Sequence, residues 1–217
     1  MDKELENILR EGIKQINPQC SHDELFEKLR VFYTQINLFN PVYKLVAASE
    51  EEIITRHILD SLAPVNILSK FSDDTVSFAD LGSGSGLPGI VLSLAMKDKK
   101  FDLVDRMGRR AGFLRNTVAL FGLKDRVNVV EKDVEKLDCV YDNITFRAFR
   151  PLKDIISQID RITHKGSYVF AYKSSEENID RESSIAREYG CFDVDCIAYN
   201  VPFSDSRRSI LMLKKTF

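Results

Sequence analysis

Gly82, Gly84, Gly86 and Gly89 crowd into one short stretch of an otherwise apolar segment, VSFADLGSGSGLPG at 76–89. Ahead of them Val76, Phe78 and Leu81 form a brief apolar run around Asp80, which predicts a buried strand. Behind them Ile90–Met96 carries apolar residues at helical spacing. A strand, a glycine turn and a helix start make a βα unit whose turn lets a ligand press against bare backbone. The helix amino terminus adds unpaired N–H groups and a partial positive charge at the same place. Glycines are entropically costly, so a turn of this composition that binds nothing is the disfavoured reading.

The ligand decides the function. Gly84-x-Gly86-x-x-Gly89 satisfies the dinucleotide fingerprint, with Asp105 suitably placed downstream for a ribose hydroxyl. No Lys-Ser/Thr pair follows the glycines, which excludes a P-loop. Asp80 discriminates between the remaining ligands. A carboxylate facing the turn repels a pyrophosphate and attracts the ammonium and sulfonium of S-adenosylmethionine. At about 4 Å and an effective dielectric near 20, each such pair amounts to about 4 kcal/mol before desolvation. That sign favours S-adenosylmethionine over NAD, and no clear hydride-transfer acid or base supports an NAD-dependent oxidoreductase.

The 217 residues suit one large domain, or a domain with a small appendage, and an apolar share of 44% can fill its core. Cys20, Cys139, Cys191 and Cys196 show no CxxC spacing and the histidines no metal-ligand cluster. A reducing cytoplasm and no metal are expected. The charged opening MDKELENILR is no signal peptide, and the longest uncharged run, Leu81–Met96, is too short to span a bilayer. At a net charge of −2, any RNA must be held by local basic clusters.

Residues 1–71 read as helices. Leu5, Ile8, Leu9, Ile13 and Ile16 keep helical spacing until Asn17-Pro18. Ser21-x-x-Glu24 and Ser49-x-x-Glu52 are capping boxes, the second leading into Ile53, Ile54, His57, Ile58 and Leu62. Such wide apolar stripes predict a helical cap on the sheet of residues 72–217, the two folding as one cooperative unit. From Thr75 onward strands are predicted at 76–81, 101–105, 127–131, 143–147, 168–172, 192–199 and 209–213, and helices at 88–97, 109–121, 151–162 and 176–189. Ser174-x-x-Glu177 reads as a third capping box. The alternation is that of an α/β layer. Five strands joined by crossovers should lie parallel, and the last two, separated by Pro202–Arg208, pair antiparallel at one edge.

In such a sheet ligands sit outside the carboxyl ends of the strands. That rule selects Asp80 with the glycine turn, Asp105 for ribose hydroxyls or as a helix cap, and Val134-Glu135 beside an adenine. It also selects Arg147-Ala148-Phe149-Arg150 and Lys173. Arg106, Arg109, Arg110, Arg115, Lys153, Arg207 and Arg208 add a basic rim fit for phosphates. Phe149 has two readings, a core aromatic or a ring that stacks on a flipped base. His57 lies on an apolar helix face and reads as structural.

Arg56-His57-Ile58-Leu59-Asp60-Ser61 and the run Asp80–Ile90 continue through Leu103-Val104-Asp105, Gly108–Arg115, Val134-Glu135, Arg147-Ala148-Phe149 and Lys173. Together these motifs resemble the bacterial 16S ribosomal RNA guanine-N7 methyltransferase G (glucose-inhibited division protein B) family, over roughly residues 25–213. The resemblance implies a Rossmann-like S-adenosylmethionine-dependent methyltransferase sheet of seven strands, the last antiparallel, behind an N-terminal helical cap. It implies S-adenosylmethionine as donor, S-adenosylhomocysteine as product, and a guanine of the small subunit's 16S ribosomal RNA as acceptor. A monomer is the expectation. Cofactor contacts fall on Gly82, Leu87, Val134, Glu135 and Arg147, beside the Asp80, Gly84 and Asp105 read from the turn and strand ends. RNA contacts fall on Arg109, Arg110, Lys173 and Arg208. No general base is expected, because guanine N7 already carries a free lone pair. The chain departs from the family at Lys44-Leu45-Val46 (usually Asn-Leu-Thr), Arg106-Met107 (usually Ser-Leu) and Asp133 (usually basic). The first bears on a polar contact near the cofactor pocket; the third removes an RNA contact.

Overall fold

The computed structural model describes residues 1–72 and 76–217; the predicted onset of the α/β alternation at Thr75 lies outside them. The chain opens with α1 (Lys3–Ile16), capped by the Asp2 carboxylate accepting from the Leu5 N–H, and α2 (His22–Tyr43), capped by Ser21. Ser49 and Glu52 form both bonds of the predicted capping box at the start of α3 (Glu50–Glu52). That helix does not continue as a regular α-helix. It passes through a π-helical stretch, Ile53–Ile58, into α4 (Leu59–Leu62), and α5 (Val65–Lys70) follows. π-Turns inside helices recur at functional sites, and this one carries Arg56 and His57.

Alternation follows: β1 (Ser77–Leu81), α6 (Gly89–Ala95), β2 (Lys100–Val104), α7 (Gly108–Leu120), β3 (Val127–Val130), β4 (Tyr141–Arg147), α8 (Leu152–Arg161), β5 (Thr163–Lys173), α9 (Glu176–Tyr189), β6 (Phe192–Tyr199) and β7 (Arg208–Lys215). A short 3₁₀ turn, Val134–Lys136, separates β3 from β4. The sheet order is β3-β2-β1-β4-β5-β7-β6. The pairs among β1–β5 are parallel, and β7 lies antiparallel to both β5 and β6. The order turns back between β1 and β4, the crevice where open α/β sheets take their ligands. One capping residue differs from the reading above: Ser175, not Ser174, caps α9, its hydroxyl accepting from the Asn178 N–H. Ser174 instead lines a cavity.

Phe78 of β1 stacks on Phe101 of β2 at 5.0 Å between ring centroids. These rings share one apolar core with Leu9, Leu29, Phe32, Ile58 and Leu62, so the N-terminal helices pack directly on the sheet. The opposite face buries Leu81, Ile144 and Phe146 under Ile155 and Ile159 of α8. Among the described residues no helix is long and apolar enough to cross a membrane.

Candidate active site

The glycine turn is shaped by two carboxylates, and only one of them faces a cavity. Asp80 is fully buried. Its Oδ2 accepts from Ser83 Oγ at 2.5 Å and from the Gly89 N–H at 2.9 Å, while Oδ1 is buried without a hydrogen-bond partner. Burial pushes its pKa up to about 6, against the lowering effect of those hydrogen bonds. The expectation that Asp80 meets the cofactor is therefore corrected. It points inward and holds the turn against α6. Gly89 makes that possible, because a Cβ there would lie 2.5 Å from Asp80 Oδ2. Asp105, just past β2, reaches the turn from the other side. Its Oδ2 accepts from the Gly84 N–H at 3.0 Å and its Oδ1 from the Met107 N–H at 2.8 Å.

Two cavities open over the carboxyl ends of the strands and meet at Gly82. The larger, about 800 Å³, is lined by Gly82, Gly84, Leu87, Arg147, Lys173 and Arg208, among others. The smaller, about 250 Å³, is lined by Gly82, Asp105, Val134 and Arg110, with Arg106 and Asp133 at its wall. Phe149 lies between them, touching both. Its ring packs on Gly82 so closely that a Cβ on that glycine would overlap it, and Gly82 has φ +69°. Ala148, at φ 49°, turns the backbone that delivers the ring. Phe149 thus packs on the core on one side and forms the wall between the two cavities on the other.

Glu135 and Arg109 are both exposed and line neither cavity, which takes Glu135 away from the expected cofactor wall and leaves Arg109 on the outer surface. Glu135 instead pairs with Arg150 at 3.3 Å, and Arg150 pairs with Asp133 at 3.0 Å. Asp133 also meets Arg106 at 3.4 Å on the rim of the smaller cavity. Val46 lies on the wall of the larger one, its backbone held by the Asn40 amide.

The far corner of the larger cavity was only partly legible. Arg147 Nη1 donates to Asp60 Oδ2 at 2.9 Å and to the Arg56 carbonyl at 3.1 Å; its Nη2 lies 3.1 Å from His57 Nδ1. Burial first, and Arg147 second, lower the His57 pKa to about 4, so the ring is neutral and accepts. That fits a structural histidine. Lys173 pairs at 2.5 Å with Glu182 of α9, and the Tyr172 hydroxyl donates to the Ser61 carbonyl. Glu182, Tyr172, Tyr199 and Arg181 line this cavity without having been read as site residues. Glu182 sits mid-helix among exposed charges, with no local signal.

A sequence model of the family described as rRNA small subunit methyltransferase G matches residues 25–207. The chain belongs to this family. Among named members, the Treponema denticola ribosomal RNA small subunit methyltransferase G is 28% identical, covering 96% of this chain and 94% of its own. That of Histophilus somni strain 2336 is 32% identical over 87% of this chain and 86% of its own. The fold matches a putative S-adenosylmethionine-dependent methyltransferase structure from Methanococcus maripaludis at a TM-score of 0.62 and 17% identity, covering 89% and 94% of the two chains. This member of the methyltransferase G family thus has the Rossmann-like methyltransferase sheet, with β7 inserted antiparallel where the dinucleotide-binding order 3-2-1-4-5-6 has none.

Proposed function

We propose that the chain transfers the methyl group of S-adenosylmethionine to N7 of a guanine in the 16S ribosomal RNA of the small subunit. Family membership supports the reaction class; the observation that carries the reading within this chain is the meeting of two unlike cavities on Gly82. In the smaller, each Asp105 oxygen uses one lone pair on a backbone N–H and keeps another for a ribose hydroxyl. Val134 offers an apolar surface to the adenine, and Gly84 and Leu87 border the path onward. In the larger, Arg147 offers a guanidinium to the methionine carboxylate, the pairing that arginine makes bidentately. Asp80 takes part only by fixing the turn. Glu135 acts through its ion pair with Arg150.

The guanine enters the larger cavity. N7 attacks the methyl carbon directly, the carbon–sulfur bond breaks, and the sulfonium becomes a neutral thioether while the purine becomes cationic. No proton leaves, so none of His57, Asp60 or Lys173 is needed as a base. The protein supplies alignment, which is worth about 7–11 kcal/mol in well-oriented systems. A cation held against N7 would occupy the lone pair and oppose the developing charge. Arg110, Lys173 and Arg208 therefore serve phosphate or the guanine O6 edge, and Arg109, outside the cavities, serves the approaching strand.

Titration calorimetry with S-adenosylmethionine and with NAD, followed by mapping of N7-methylguanine in small subunits from cells with and without the gene, tests this reading. Binding of S-adenosylmethionine alone and loss of one N7-methylguanine are expected. Binding of NAD instead, or an unchanged methylation map, would refute it.

A further inference from the structure

Arg147 ends β4 and Arg208 begins β7, yet both guanidiniums turn to one carboxylate. Asp60 Oδ2 accepts from Arg147 Nη1 at 2.9 Å, and Asp60 Oδ1 accepts from Arg208 Nε at 3.1 Å. Asp60 is 5% exposed, whereas the arginine side chains keep 16% and 17% and line the larger cavity. The neighbouring cations have acids of their own: Arg56 pairs with Glu52 and Lys173 with Glu182. His57 accepts from Arg147 and adds no charge. Two cations thus share one anion, and the corner presents one surplus positive charge to the cavity. Each arginine also keeps unused donors. Arg147 spends both Nη1 hydrogens and one on Nη2, and Arg208 spends Nε and one on Nη1, among the described residues. A half-buried charge excess with spare donors is a seat for an anion.

We propose that Asp60 is a positioning residue that sets the two guanidiniums for two different anions. It holds Arg147 for the cofactor's carboxylate and Arg208 for a phosphate of the RNA strand, and its own charge limits how strongly the corner draws RNA. The proposal rests on the reading of Arg147 and Arg208 given above. It makes the two functions separable. Removing the carboxylate leaves the corner more positive but less ordered, so RNA attraction rises while turnover falls. A residue needed only for folding would not move the two in opposite directions.

The experiment uses Asp60→Asn, close to isosteric and neutral, with melting temperature measured beside it. Binding of a 16S ribosomal RNA fragment is titrated across salt concentrations, and methyl transfer is followed at saturating cofactor. The expected result is a log-affinity against log-salt slope steeper by about 0.7–0.9, the value of one further cation, with kcat at least tenfold lower. An unchanged or flatter slope, or an unchanged kcat, overturns the proposal. Should Asp60→Asn fail to fold, Arg208→Gln decides. It is expected to flatten the slope by a similar amount and leave S-adenosylmethionine affinity within twofold, while Arg147→Gln lowers that affinity more than tenfold. If Arg208→Gln weakens cofactor binding as Arg147→Gln does, the division of labour is wrong. Failure of the unaltered protein to bind S-adenosylmethionine would instead bring down the functional reading beneath it.

Discussion

Asp80→Asn separates a carboxylate that holds the cofactor from one that holds the fold. In this protein the group is fully buried, its Oδ2 serves Ser83 and Gly89, and its Oδ1 has no partner. An asparagine oxygen can accept the same two hydrogen bonds while its amide nitrogen takes the place of the partnerless Oδ1, a cost that does not vary with pH, so the pH-dependent part of the difference reports the buried charge. Burial raises the pKa from 3.8 to about 6. A folded-state pKa above the unfolded one means that the acid's contribution to stability is complete below about pH 4 and is lost as pH rises through about 6. The rise corresponds to about 3 kcal/mol. Urea denaturation at several pH values between about 4 and 7 should therefore show the asparagine variant gaining about 3 kcal/mol on the parent protein as pH increases. Affinity for S-adenosylmethionine, measured by calorimetry at pH 7, should change less than about threefold. A loss of about thirtyfold or more, which is about 2 kcal/mol, together with a pH-independent stability difference, would show that the charge faces the ligand and that the inward placement is wrong.

Other substitutions reach the remaining parts of the site. Gly82→Ala forces an L residue to a φ of +69° and drives a Cβ into the Phe149 ring; a stability loss of about 1–3 kcal/mol is expected from the backbone alone, with weakened cofactor binding, read by thermal melting and calorimetry. Arg109→Ala should weaken RNA binding and flatten its salt dependence by roughly 0.7–0.9, leaving cofactor affinity within about threefold, whereas Arg110→Ala, which removes the partner of Asp105 in the smaller cavity, should lower cofactor affinity as well. Loss of cofactor affinity on Arg109→Ala would refute its place outside the pocket. We also propose that the N-terminal helices and the sheet unfold together, since Leu9, Leu29, Phe32, Ile58 and Leu62 share a core with Phe78 and Phe101. Urea curves followed by far-ultraviolet circular dichroism and by tyrosine fluorescence should coincide; an early transition of the helical signal would divide the chain in two.

The elements that could be read from sequence are those whose signal is local. Apolar runs at Phe78, Phe101, Val127 and Val169 are buried strands, and Gly190 closes α9 at φ 84° as a helix-ending glycine does. The glycine turn and the acid after β2 likewise announce themselves by spacing. What failed was direction. Asp80 and Asp105 both stand at strand ends beside the turn, and nothing in the order of residues tells that one points to the core and the other to a cavity. Partnership over long separations was equally hidden: Asp60 is joined to Arg147 and Arg208 from distant parts of the chain, and Glu182 to Lys173 across an intervening turn. Neither the π-helical turn before Asp60 nor the swap from Ser174 to Ser175 as cap follows from composition.

A loop this rich in glycine invites the picture of a supple flap that wraps its guest. The bonds to Asp80 and Asp105 argue for the opposite, since they pin Ser83, Gly84 and Gly89 from both sides. The turn is a finished mould. Little entropy remains to be lost when a guest arrives, and an inhibitor shaped to that contour would be met by a surface that does not need to adjust.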